Sequence, residues 1–288
     1  MNHHVTVGVD GSPESRTAAR WGAREAALRS VPLRLVHAVD WPVSPAMPRP
    51  DRAAADRWAD EVLAEAAQEL RLLHPKLDLT TRCLSGRPAA ALAAEALDAG
   101  LLVLGSRGLG GLTGFLVGSV GMSTLAATET PAVLVRNAPD PYGPGPDASG
   151  EVVVGVDIHE AADRVLAFAF EEASRHDRAL RAVHGWQLPA TYAYASFDPD
   201  DVREIGASVT QMLDDMLLPW RRKFPEVSVT TQALMGSAGR QLVQAATGAD
   251  LVVVGRRVRR SPLGAHLGAV AHAVLHHSAV PVAVVAHD

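Results

Sequence analysis

The sequence predicts an α/β protein of two tandem Rossmann-like domains, each a five-stranded parallel sheet with helices on both faces. Three observations predict it. Short β-branched and apolar runs alternate with longer Ala/Leu/Glu-rich stretches, the pattern of parallel strands covered by helices. The pattern occurs twice. Val5-Thr6-Val7-Gly8-Val9-Asp10 returns as Val152-Val153-Val154-Gly155-Val156-Asp157, and Leu35-Val36-His37-Ala38 returns as Ala182-Val183-His184-Gly185, both 147 residues on. Later pieces return 150 residues on: Gly86 as Gly236, Leu102-Val103-Leu104-Gly105 as Val252-Val253-Val254-Gly255, Gly118 as Gly268 and Pro131 as Pro281. The second copy therefore gains three residues in its middle. Between the copies, Pro139, Pro141, Gly143, Pro144, Gly145, Pro146 and Gly150 interrupt any helix or central strand. The expected domains are 1–137 and 151–288, joined by a linker at 138–150.

Within the first copy, Val5–Val9 is a β-branched strand that ends at Asp10-Gly11-Ser12-Pro13. Ser12 is placed to cap a helix running toward Arg29, with Pro13 in its first turn. Leu33–Val39 is the second strand. Prolines from Pro42 to Pro50 break the chain before a helix over about Asp51–Leu73. A third strand follows over Leu77–Cys83, then a third helix over Pro88–Ala99, rich in Ala and Leu. Leu101–Leu104 is a continuous apolar strand. The glycine-rich segment Gly105–Gly118, a helix through about Thr128 and a strand at Ala132–Val135 complete the copy. Cys83 is the single cysteine, so an intrachain disulfide is excluded, and it is expected as a small core residue. Trp21, Trp58 and Trp220 are expected as core or interface anchors.

With 27 basic and 32 acidic residues the formal net charge is −5, which leaves no bulk cationic field for nucleic acid or an anionic membrane. No apolar run approaches the roughly 18 to 20 residues that span a bilayer. Met1-Asn2-His3-His4 lacks the basic and apolar regions of a signal peptide, so the expected compartment is the cytoplasm.

In an open parallel sheet, ligands lie beyond the C-terminal strand ends where the strand order reverses, here between the first and fourth strands. The first ends in Asp10-Gly11-Ser12. The fourth runs into Gly105-Ser106-Arg107-Gly108-Leu109-Gly110-Gly111-Leu112-Thr113-Gly114 and then Gly118-Ser119 at a helix start. Glycines let successive amides turn inward, a helix start offers unpaired N–H groups, Ser119 adds a hydroxyl and Arg107 a charge: a phosphate cradle. Other nucleotide and catalytic motifs fail. Neither Lys76 nor Lys223 follows a glycine, as a P-loop requires. Counted from Gly108 and Gly110, the sixth place of G-x-G-x-x-G is Thr113. Gly118 directly precedes Ser119, which breaks G-x-S-x-G. What remains is a nucleotide site without a recognisable nucleophile.

Gly105-x-x-Gly108, nine residues and Gly118-Ser119 match the G-x-x-G, nine residues, G-S/T pattern of universal stress proteins that bind ATP. Val7-Gly8-Val9-Asp10-Gly11-Ser12, Val36-His37-Ala38-Val39, Gly86-x-Pro88 and Pro131-Ala132-Val133-Leu134-Val135 resemble the same family, and the resemblance extends to both halves. It implies a tandem universal stress protein with adenine nucleotide alpha hydrolase-like domains. It also implies that Asp10, with Val9 and Gly11, contacts the nucleoside, and that Ala38 or Val39 lies against adenine. Gly105, Arg107, Gly108, Gly118, Ser119 and Val120 would hold ribose and phosphates; Asp10 would alternatively organise Mg²⁺. No catalytic residue and no metal site made by the protein alone is expected. The implied function is sensing or buffering of adenine nucleotide in stress or growth arrest, through conformation and a regulatory partner. Slow ATP or phosphoanhydride hydrolysis and a nucleotide-free, chaperone-like interaction module are the rivals. The resemblance further implies that Ala132–Val135 and Val282–Val285 pair across the halves, one chain imitating a dimer, with a homodimer of chains plausible beyond that.

The second copy departs from the pattern. Gly255-Arg256-Arg257-Val258 lacks the second glycine, Ala269 stands for Ser119, and Ile158-His159-Glu160 stands for Gly11-Ser12-Pro13. Val258 adds a Cβ where the backbone should approach, and Glu160 brings negative charge toward a triphosphate. Arg256, Arg257, Arg259 and Arg260 can partly offset that charge or favour another anion. The first site is expected to bind ATP and the second weakly or not at all. His266, His272, His276 and His277 fall on the last helix; His272 and His276, four apart, can reach one metal, but no acid or cysteine completes a site, so a solvated or packed face is expected. His37 and His184 are expected to pack or hydrogen-bond at equivalent strand ends.

Overall fold

A computed structural model describes residues 4–39, 52–108, 115–116, 118–136, 150–160, 162–188, 199–258 and 267–288. They fall into two compact units, the first within 4–136 and the second within 150–258 and 267–288. Residues 109–114, 117 and 138–149, together with Arg259, Arg260 and His266, lie outside the described residues.

The first unit runs β1 (His4–Gly8), α1 (Pro13–Arg29), β2 (Leu33–Val39), α2 (Arg52–Leu73), β3 (Leu79–Ser85), α3 (Pro88–Ala96), β4 (Ala99–Gly108), β5 (Phe115–Leu116), α4 (Ser119–Ala127) and β6 (Ala132–Arg136). Its parallel strands lie in the order β3-β2-β1-β4-β6, and β5 pairs back on β4 antiparallel. Val5, Val7, Leu33, Leu35, Leu101 and Val103 are buried in the sheet, and α1 covers one face with Ala18, Ala19, Trp21, Ala23 and Ala26. The start of α1 is set locally: Ser12 Oγ accepts the Ser15 N–H at 3.2 Å, and Pro13 opens the first turn. On the other face the buried Glu95 of α3 accepts from Arg34 of β2 at 2.7 Å and Arg82 of β3 at 2.9 Å. Arg136, buried at the end of β6, donates to Ser106 Oγ at 2.8 Å, and burial lowers its pKa to about 10.

The second unit repeats the plan with β7 (Val152–Gly155), α5 (Asp163–Arg175), β8 (Leu180–Trp186), α6 (Pro199–Lys223), β9 (Val229–Met235), α7 (Ala238–Ala245), β10 (Leu251–Arg257), α8 (Ala269–His277) and β11 (Val282–His287). The parallel order is β9-β8-β7-β10-β11. Phe170 of α5 stacks on Trp220 of α6 with ring centroids 5.8 Å apart.

Several expectations are corrected. Cys83 is exposed, because β3 is the outermost strand of its unit and Thr80, Thr81 and Arg82 are exposed with it. Strand β4 continues past Leu104 to Gly108, held by β6 through Ser106↔Arg136 and then by β5. Helix α3 ends at Ala96 because β4 begins at Ala99. Trp21 is a core residue, whereas Trp58 is half exposed and meets the His37 ring edge-on at 5.0 Å. The His272 and His276 rings do lie together, 4.3 Å apart, with His272 exposed. Among the described residues, no helix is long and apolar enough to cross a membrane.

Candidate functional site

In the first unit the chain passes from β1 outward to β2 and β3, then crosses back to β4 on the other side of β1, so the strand order reverses between β1 and β4. A cavity of about 310 Å³ opens at the C-terminal ends of these two strands. That volume lies at the lower end of the range of small-molecule sites. Its floor is apolar: Gly8, Val36, Ala38 and Leu104 from the sheet, Pro88 and Leu92 from α3. Its rim is polar: Asp10, Ser12, Glu14 and Ser15 on one bank, Gly105 and then Gly118 to Gly121 on the other.

The first bank is stiffened by its own hydrogen bonds. Asp10 Oδ1 accepts from the Ser12 N–H at 3.0 Å and from the Ser12 hydroxyl. The Asp10 N–H donates to Ser15 Oγ at 3.3 Å, and that hydroxyl donates to Ser12 O at 2.9 Å. Gly11 makes the turn at φ +79°, a left-handed conformation that favours glycine. His37 Nδ1 lies 2.7 Å from Val9 O; a carbonyl only accepts, so this nitrogen carries the hydrogen and ties the end of β2 to the end of β1.

Two glycines shape the second bank for different reasons. At Gly105 a Cβ would come within 2.6 to 2.8 Å of Glu14 and Ser15 backbone atoms, so only glycine lets β4 pass against the first turn of α1. Gly118 has φ −60° and ψ 155°, open to any residue, and nothing within 4 Å of where a Cβ would stand. Among the described residues neither its conformation nor its packing asks for glycine, and the residue lines the cavity. Gly118 is also the N-cap of α4 and supplies no side-chain cap; the first intrahelical bond is Met122 N–H to Gly118 O at 3.0 Å. The amides of Ser119, Val120 and Gly121 therefore have no acceptor within the helix, and they sit at the positive end of its dipole on the cavity wall. The geometry suits a flat apolar group on the floor and an anion against the helix start.

The family profile described as Universal stress protein family matches residues 1–136 and again residues 150–286. The chain belongs to the universal stress protein family. Universal stress protein Rv2005c of Mycobacterium tuberculosis is 35% identical over 98% of this chain and 96% of its own. Universal stress protein Rv2623 of the same organism is 33% identical over 97% and 95%. A universal stress protein from Archaeoglobus fulgidus superposes with a TM-score of 0.73 at 17% identity, covering all of both chains, and shares the fold.

For this universal stress protein chain, the structure brings Val9, Asp10, Ala38, Gly105, Gly118, Ser119 and Val120 to one cavity. Four other residues of the family pattern are not in its described wall. Gly11 turns toward a second cavity of about 240 Å³ between α1 and α2, bordered by Arg16, Val62, Glu65 and Glu69. Val39, one residue after Ala38, points to the opposite face of the sheet. The side chain of Arg107 and the wall around Gly108 lie outside the described residues; the backbone of both pairs antiparallel with Leu116 and Phe115. Sequence reasoning missed the floor, Gly8, Val36, Pro88, Leu92 and Leu104, and with it Glu14, Ser15 and Gly121. Strand parity around the Gly86-x-Pro88 helix start is the signal that could have found the floor.

The corresponding crevice of the second universal stress protein repeat keeps part of this frame. Asp157 Oδ1 accepts the His159 N–H at 3.0 Å, and His184 Nδ1 meets Val156 O at 2.8 Å. Gly268 caps α8 with the same backbone as Gly118 and the same open space.

Proposed function

We propose that the first unit binds an adenine nucleotide, ATP with Mg²⁺, and that the protein senses or buffers that nucleotide in stress or growth arrest by changing what it associates with. The base lies on the floor made by Gly8, Val36, Ala38, Pro88, Leu92 and Leu104, and the phosphates meet the amides of Ser119, Val120 and Gly121. Asp10 and Glu14 are the carboxylates on the rim that can face a magnesium ion bridging phosphate oxygens. A second copy of the chain is the first candidate partner, and the boundary between the two repeats lies at 138–150.

The observation that carries this function is Gly118: a glycine with no steric or conformational need, at an uncapped helix start, opening onto an apolar-floored cavity. Mass analysis of small molecules released from the purified protein, followed by calorimetric titration with ATP, tests it. Gly118→Val is expected to shift the unfolding free energy by no more than about 0.5 kcal/mol. It is also expected to lower ATP affinity at least about a hundredfold, roughly 2.7 kcal/mol. Equal ATP affinity in a stable Gly118→Val protein rejects the proposal.

A further inference from the structure

We infer that the second unit's crevice is latched at its mouth by a partly exposed Glu160–Arg257 ion pair and takes no polyphosphate, so that each chain carries one nucleotide. The inference rests on the nucleotide function proposed for the first cavity. Glu160 follows β7 and Arg257 ends β10, the two strands that pair side by side and flank the strand-order reversal. Their ion pair therefore spans the two banks of the crevice. In the repeat, Glu160 stands at the place of Pro13, a residue that cannot make such a pair, and Arg257 at the place of Arg107.

Neighbouring features flank the same pair. Helix α5 begins at Asp163, three residues later in the repeat than α1, so a turn at 158–160 replaces the helical first turn that gives Glu14 and Ser15 to the first cavity. Strand β10 stays on β11 through Arg257↔His287, and the Val258 N–H donates to His287 O at 2.7 Å. The imidazole of His287 stands 2.9 Å from where a Gly255 Cβ would be. The floor is retained, since Leu242 packs on Gly155 as Leu92 and Leu104 pack on Gly8. The difference thus lies at the phosphate end, where an incoming polyphosphate would be repelled by Glu160 and would have to take Arg257 from it.

Hydrogen exchange on the full chain, without nucleotide, reads the latch. In Glu160→Gln, peptides covering 156–165 and 251–258 are expected to exchange at least about threefold faster, with little further change when Arg257→Gln is added. Unchanged exchange in Glu160→Gln overturns the latch. Native mass spectrometry with ATP reads the stoichiometry: one ATP per wild-type chain and none on Gly118→Val support the inference. A second ATP on the wild-type chain overturns it, and one ATP on both the wild-type chain and Gly118→Val rejects the first-cavity reading instead. A wild-type chain that takes no ATP rejects the function proposed for the first cavity, and the exchange result alone then decides the latch.

Discussion

The two crevices share a sheet order, a histidine that ties the second strand of each unit to its first, and a glycine at an uncapped helix start. They differ in what stands between the banks. In the first unit the backbone of β4 meets the backbone of α1 at Gly105, leaving the space above open. In the second unit side chains stand at the strand ends, with the His287 ring and a Val165 methyl against Gly255 and Glu160 paired to Arg257. One fold thus carries different strand-end chemistry in its two units, and the difference rests on a few residues while the sheet order stays the same.

The contrast at Gly105 and Gly255 gives the largest expected effect on stability. In Gly105→Ala the new methyl meets Glu14 and Ser15 main-chain atoms, which cannot move without displacing α1. Overpacking of that kind costs up to about 3 kcal/mol. In Gly255→Ala the neighbours are the end of the His287 ring and a Val165 methyl, which can shift, so the cost is expected below about 1 kcal/mol. Denaturant unfolding of the two variants measures both; equal losses would show that the banks are built alike. A smaller effect separates Ser119 from Ala269. Ser119→Ala removes one hydroxyl from the first cavity and is expected to weaken ATP binding about fivefold, near 1 kcal/mol. Ala269→Ser places that hydroxyl in the second crevice and is expected to add no binding while Glu160 remains paired. A second ATP equivalent in Ala269→Ser would place the defect at residue 269 alone.

Legibility of the fold followed the range of the forces involved. Strand β2 runs over Leu33–Val39 as its apolar run predicts, and Ser12 and Pro13 start α1 through bonds within one turn. These are local signals. The extension of β4 to Gly108 was hidden because glycines at 105 and 108 suggest a loop, whereas β6 and β5 hold them as strand. The rim of the site, Asp10, Gly105, Gly118 and Ser119, was readable from spacing. The floor was not, because Leu92 and Pro88 join Val36 and Ala38 there only once α3 is packed across the ends of β1 and β4. The Glu160–Arg257 pair was half legible: both charges stand in the sequence, but their mutual satisfaction depends on β7 lying beside β10.

The smallest expected effect uses the thiol as a reporter of face. Cys83 has Ala233 at its place in the second repeat, so a label reports on the first unit alone. Arg82 reaches Glu95 of α3, so Cys83, the next residue of the strand, faces α2 instead. There partial covering of the sulfur, followed by the carboxylates of Asp56 and Asp60, raises its pKa above the ordinary thiol value. A raised thiol pKa means that folding favours the protonated form; this contribution to stability is complete below the unfolded pKa and is lost as pH rises through the folded one. Near pH 8 the thiolate is therefore scarcer in the folded chain than in the unfolded one. Iodoacetamide is expected to label folded Cys83 a few-fold more slowly than the urea-unfolded chain, about threefold, and Asp60→Asn is expected to recover part of the difference. Because the cavity floor lies on the α3 face, saturating ATP is expected to leave the rate unchanged. Protection of Cys83 by ATP would move the nucleotide to the α2 side, toward the smaller cavity beside Gly11 and Val62.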